Sequence, residues 1–295
     1  MIKEKSQIKF GPSGNSEDFA AAGYKSTEQS AIWVKNLGLN AFEYSFGRGI
    51  TMGDERAASL KTAFENAGVA ISVHAPYYTN FSNPDPEMVQ KTFGYILESA
   101  KMVNLMGGNR VIFHPASQGK DSREIAVGRA IDNFKRFAEA VHAAGGEKII
   151  YCPETMGKSG QLGTIEEIAE FCLTDEIFVP TVDFGHVNAR ECGSLKTQND
   201  YTCRLEYLIE KLGYERMKNF HIHFSKIQYS AKGEVRHLNF DDDKYGPEFA
   251  PLAEALIDLK LEPVVICESA GHQDRDALEM KNLYFAALGK RQNEK

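Results

Sequence analysis

The chain has 295 residues, 42% hydrophobic and 25% charged, with a formal net charge of -7. That length can bury a large core, and the acidic balance leaves no global basic footprint, so contact with a polyanion would need a local patch or site-bound cations. Five cysteines, odd in number and without a CxxC pair, exclude a disulfide framework and a thiolate zinc ribbon. No signal-like apolar segment opens the sequence and no uncharged apolar run nears about 18 residues, so a cytoplasmic protein without a membrane span is expected.

Along the chain, short apolar or β-branched runs alternate with longer amphipathic stretches. Strands are expected at 7–10, 39–44, 69–73, 110–113, 148–152, 177–182, 218–224 and 262–267. The clearest helix is 86–106, where Met88, Val89, Phe93, Ile96, Leu97, Ala100, Val103 and Leu105 form a stripe at three- and four-residue spacing. Asp85 and Thr164 stand at helix starts, Thr164 with Glu167 in capping-box spacing, and glycines at 38, 68, 107, 108, 145, 146 and 213 close helices. The segment 225–247, with Asp241, Asp242 and Asp243, reads as a long active-site excursion or surface loop, and 290–295 as a frayed tail. Eight strand-helix units without a linker or composition shift predict one α/β domain over 1–295, a (β/α)8 TIM barrel. An open doubly wound sheet ranks lower because no GxGxxG follows the first strand.

Chemistry-bearing residues recur where these strands end: His74, His114, Glu154, Asp183, His186, His223, His237 and Glu268. Singly, each has a plainer reading, a hydrogen-bonded histidine or a helix-capping carboxylate. His142, His272, Glu43 and Asp241 to Asp243 are left in that class. Jointly, imidazoles and carboxylates on one barrel rim suit zinc or manganese, and a carboxylate such as Glu154 can bridge two cations. His221 and His223 are two apart and face the same side of their strand; His223, nearer the carboxyl end, is the preferred ligand there, with His221 as the alternative.

The segments His74-Ala75-Pro76-Tyr77, Phe113-His114-Pro115-Ala116-Ser117, Pro153-Glu154-Thr155-Met156-Gly157-Lys158, Val182-Asp183-Phe184-Gly185-His186 and Cys267-Glu268-Ser269 resemble the endonuclease IV family of zinc-dependent apurinic/apyrimidinic endonucleases, within the xylose-isomerase-like barrels. The resemblance implies a DNA-repair hydrolase that cuts the phosphodiester 5′ to an abasic site. It implies two or three zinc ions, or manganese, with no organic cofactor, damaged DNA as partner and a monomeric chain. His74, His114 and Glu154 would hold one ion; Glu154, Asp183, the strand-7 histidine and Glu268 a second; His186 and His237 a third. Three departures stand out. The family places an aspartate two residues before the last histidine, where this chain has Val235, so Glu234 is the candidate third-site carboxylate. Lys226 follows the strand-7 histidine where an acidic residue is common, and the loop after strand 2, Tyr44 to Ile50, lacks the polar DNA-inserting character. Tyr77 could line the pocket or pack in the core, and Arg190, Lys226 and Arg236 could meet phosphates from rim loops. The rival expectation is a divalent-metal sugar or sugar-phosphate isomerase or epimerase, which Glu154, Asp183, His223 and Glu268 alone would satisfy.

Overall fold

The computed structural model describes residues 8–293. Eight parallel strands line its centre: β1 (Lys9–Pro12), β2 (Ala41–Ser45), β3 (Ala70–His74), β4 (Arg110–Phe113), β5 (Ile150–Pro153), β6 (Thr181–Asp183), β7 (His221–Phe224) and β8 (Val264–Cys267). They pair as two four-stranded parallel sheets, β2-β3-β4-β5 and β6-β7-β8-β1. Bridges from Ser13 to Glu43, Tyr151 to Phe178 and Glu154 to Thr181 close both seams. The result is a (β/α)8 barrel, in which every strand's carboxyl end opens on the same rim.

Helices wrap this sheet because their apolar stripes need cover. Pro86–Leu105 buries Val89, Phe93, Ile96, Ala100 and Val103. Asp85 caps it by accepting from the Glu87 N–H at 2.9 Å, and a proline at its start forfeits no hydrogen bond. Thr164 and Glu167 form the expected capping box on Ile165–Cys172. Between the sheet and helices lies an aromatic layer in which Phe134 stacks on Phe81 at 4.1 Å and on Phe171 at 4.8 Å.

Several boundaries differ from the sequence reading. In place of the run 177–182 the strand is Thr181–Asp183, because Ile177 and Phe178 follow a turn set by Asp175 and reach the sheet through one bridge. The run 218–224 yields strand only from His221, since Lys218 caps the short helix Tyr214–Met217. The segment 225–247 is not structureless: it contains an antiparallel ribbon, Ile227–Ser230 with Gly233–His237. The expected frayed tail is helical as far as Asn293, within Gln273–Asn293, while Gln7, Glu294 and Lys295 lie outside the described residues.

Closure between β1 and β2 requires backbones closer than a side chain permits. A Cβ on Gly11 would overlap the Ala41 carbonyl, a backbone atom that cannot swing aside. Gly11→Ala is therefore expected to cost about 3 kcal/mol, visible as a lower urea midpoint; an unchanged midpoint would show that the seam can widen.

Candidate metal centre

Glu154 stands just beyond β5 and is 1% exposed. Four imidazoles converge on its carboxylate. Oε2 lies 3.2 Å from His74 Nε2 and 3.5 Å from His114 Nε2. Oε1 lies 3.0 Å from His223 Nδ1 and 3.5 Å from His186 Nδ1. Backbone groups set these rings: the Ala75 carbonyl lies 2.8 Å from His74 Nδ1, and the Thr155 carbonyl 2.9 Å from His186 Nδ1. A donated N–H there would leave the opposite nitrogen of each ring as a lone-pair donor into the site.

Asp183 ends β6 and caps the helix Phe184–Arg190, its Oδ1 accepting from the His186 N–H at 2.8 Å. Its Oδ2 is buried without a hydrogen bond. The nearest positive partner is the His186 ring, whose Nδ1 lies 3.3 Å away without hydrogen-bond geometry, and a buried carboxylate oxygen held this way is suited to a cation. It belongs to a set with Glu154, His223 and Glu268, while His74, His114 and Glu154 form another; in each set the ligand atoms lie within 4.8 Å of one another. These nitrogen and oxygen donors fit divalent zinc or manganese.

The third set is His186, Glu234 and His237. In a regular strand, residues three apart point to opposite faces. The ribbon pairs Gln228 with Arg236 but Tyr229 with Glu234, so Val235 is the extra residue of a β-bulge. The bulge brings Glu234 and His237 to one side and turns Val235 to solvent, 50% exposed. Glu234 Oε2 then lies 3.5 Å from His186 Nε2. Gly157 makes room, since a Cβ there would stand 2.7 Å from the Glu234 Cβ.

The sequence reading left Glu43 among ordinary capping or solvated residues; the structure corrects this. Glu43 lies in β2, fully buried, with Oε1 2.9 Å from His223 Nε2 and Oε2 3.1 Å from His221 Nε2, although neither approach has hydrogen-bond geometry. Ser72 donates to Oε2 at 2.9 Å. His223 thus meets Glu154 with one nitrogen and Glu43 with the other. His221, two residues deeper, faces Glu43 and stays out of the upper sets, whereas His223, the histidine nearer the strand's carboxyl end, belongs to one of them. The detectable signal was a glutamate near the end of a predicted strand; its partners come from strands distant in sequence.

Electrostatics follow from these contacts. Burial disfavours charge on His223, but the carboxylates of Glu268, Glu43 and Glu154 outweigh it and raise its pKa well above the ordinary value. Burial likewise opposes charge on His186 and His74, yet Asp183 with Glu154 raises the first and Glu154 the second. His114 is pushed the other way by burial, to about 3. Burial raises the Asp183 pKa. Glu154 and Glu43 are held below the carboxylate range despite burial, by His223 among others.

The remaining expected residues divide. Tyr77 is 54% exposed, stacks on His114 at 6.0 Å and lines the central cavity, so it is not a core residue. Arg236 lies exposed on the ribbon, its Nε donating to Gln228. Arg190 and Lys226 are not free rim cations. Arg190 donates to the carbonyls of Met156, Lys158, Gln161 and Ser159, bracing the loop beyond Glu154. Lys226 is 6% exposed, donating to the Asp242 carbonyl and pairing with Glu248 at 2.9 Å. Sequence position could not reveal these internal acceptors. The cation that does line the cavity is exposed Lys158, inside a recognised segment but not singled out. His142 pairs with Asp175 and His272 with Asp18, away from the centre.

A family model described as xylose isomerase-like TIM barrel matches residues 32–285. The chain belongs to that family. An uncharacterized protein of Methanocaldococcus jannaschii, MJ0133, is 34% identical over 236 residues, covering 80% of this chain and 84% of the relative. Two solved structures share the fold. Endonuclease IV from Thermus thermophilus has a TM-score of 0.64 at 17% identity, covering 96% of this chain and 99% of the other. A D-tagatose 3-epimerase-like protein has 0.69 at 20% identity, covering 97% and 99%.

Three outcomes follow from this arrangement. Metal ligation needs neutral imidazole, so near pH 7 zinc loading of the metal-free chain should expel about one to three protons from His223, His186 and His74, and affinity should rise with pH. Conversely, these raised pKa values stabilise the metal-free fold most below about pH 6.5, a contribution lost as pH climbs through the folded values. Calorimetry in buffers of different ionisation enthalpy reads the protons; identical heats would contradict the protonated state. Separately, Glu43→Ala should weaken one ion by about 10–100-fold, with Glu43→Gln closer to wild type in a competition titration with a chelating dye. Equal affinity in all three proteins would remove Glu43 from the centre.

Proposed function

We propose that the chain is a metal-dependent phosphodiesterase of the abasic-site endonuclease type, acting on DNA in repair. The observation that carries this reading is the sharing of Glu154 between two ligand sets, with a third set opening on the same cavity of about 420 Å³. A sugar isomerase needs only one of these sets. His74, His114, His186 and His237 are surplus to it, whereas hydrolysis of a phosphate ester uses several cations on one group.

When bound, the cations would supply charge to the phosphoryl oxygens and acidify a water molecule. The chain's own residues hold that arrangement. Glu154 spans both halves of the site, and Glu43 fixes His223 from below. Lys158 offers a flexible positive charge at the cavity wall, suited to drawing in a phosphate as a point charge. The exposed Tyr77 ring offers a flat wall against which an extruded abasic sugar could rest. Arg190 and Lys226, bound internally, support loops instead of contacting the backbone of DNA.

The epimerase alternative draws support from the set Glu154, Asp183, His223 and Glu268 and from the epimerase-like structural neighbour. One experiment separates the readings: metal content of the purified protein, with incision of a duplex carrying one abasic site, with and without chelator, beside a keto-sugar epimerisation assay. Two or three ions and chelator-sensitive incision are expected, with Glu154→Gln slowing incision by about a hundredfold or more while circular dichroism stays unchanged. One ion per chain, no incision and keto-sugar turnover would overturn the proposal in favour of the epimerase.

A further inference from the structure

The opposite mouth of the barrel has a charge problem of its own. Arg110 opens β4 and points its guanidinium into the amino-terminal end, where the residue is 7% exposed. Its Nη2 donates to the Asn219 carbonyl at 2.6 Å, while Nη1 is buried without a hydrogen-bond partner. The group that most favours its charge is Cys152, near enough for its sulfur to accept weakly from the guanidinium, but the buried thiol is raised to about 11 and so carries no negative charge at neutral pH. A buried guanidinium needs an anion or a set of acceptors. Neither a single carbonyl nor a neutral thiol supplies one.

Beside it lies a cavity of about 250 Å³, lined by Arg110, Lys9, Ser72, Asn109 and Asn219. At about 30 Å³ per water in the liquid, this accommodates several solvent-sized groups. Lys9 feels Arg110 as a like charge, while Glu262 partly offsets that repulsion. Two cations thus face one cavity whose wall is half polar, with Ala70, Ile71, Ile150 and Val264 forming the apolar part. Ser72 also links its upper wall to Glu43 through its hydroxyl.

We propose that the amino-terminal mouth of the barrel is a binding site for a small oxyanion, a phosphate group, gripped by the Arg110 guanidinium with Lys9 as the second cation. A planar guanidinium with a spare N–H suits a tetrahedral oxyanion, which can accept from two of its donors. The site is independent of the metal centre, so its fate does not hang on the phosphodiesterase reading. The phosphate can be inorganic or the terminal group of a small monoester.

The test is calorimetric titration of the metal-loaded protein with inorganic phosphate and, separately, with glycerol phosphate. Wild type, Glu154→Gln, Lys9→Gln and Arg110→Lys are compared, with backbone amide resonances of Ile71, Ser72 and Asn109 as local reporters. Binding should persist in Glu154→Gln, weaken by about tenfold or more in Lys9→Gln and Arg110→Lys, and move those resonances. Tighter binding of the monoester would assign the site to a phosphorylated metabolite, and tighter binding of phosphate to the free ion. If Arg110→Lys fails to fold, Lys9→Gln and the resonances decide. Phosphate binding that vanishes in Glu154→Gln and leaves the three resonances unmoved would overturn the proposal, as would no binding at about 10 mM.

Discussion

The upper half of this barrel depends on keeping one carboxylate, Glu154, out of water among imidazoles. Alone, a buried carboxylate would neutralise itself by taking a proton. Here four histidines from different strand ends face its two oxygens, and its negative charge favours the protonated form of three of them, His74, His186 and His223, while burial keeps His114 neutral. The barrel makes this possible by delivering side chains from all sides to one point. A flat sheet would present the same residues in a row, too far apart to share an oxygen.

Much of this was legible in the chain, for definable reasons. Strand-helix alternation and the capping residues are local signals, and the fold followed from them. Histidine after an apolar run is an unusual ending, which is why His74 and His114 could be singled out together. Glu43 escaped because its meaning lies in His221 and His223, residues far along the chain that reach it only across the barrel interior. Alternation put both histidines on one face and strand position put His223 nearer the rim, but the partner that holds His221 below it, Glu43, could be seen only across the barrel. For Arg190 and Lys226, loop position suggested solvent, whereas each had found acceptors in neighbouring loops. Cations of this kind are indistinguishable in sequence from free ones.

The interior also departs from the apolar packing expected of a barrel core. Ser72, Glu43, His221 and His223 form a buried polar column under the candidate metal centre, and Arg110 sits at its foot. Such groups trade packing energy for fixed orientation, a trade that is tolerable where a site must be held to within fractions of an ångström. Stability then falls to the outer layer, where the stacked phenylalanines between sheet and helices provide apolar burial.

The bulge at Val235 bears on how sites of this type are found. Because an extra backbone residue can rotate a neighbouring side chain across the ribbon, ligand spacing in a linear pattern is not a fixed quantity. A carboxylate three residues from its histidine can occupy the place that a regular strand reserves for one two residues away. Pattern searches demanding the shorter interval would miss Glu234, the candidate ligand that the bulge brings to the same side as His237. For such ribbons the meaningful unit is the pairing register, and a site can persist through the insertion of a residue that looks, in one dimension, like its loss.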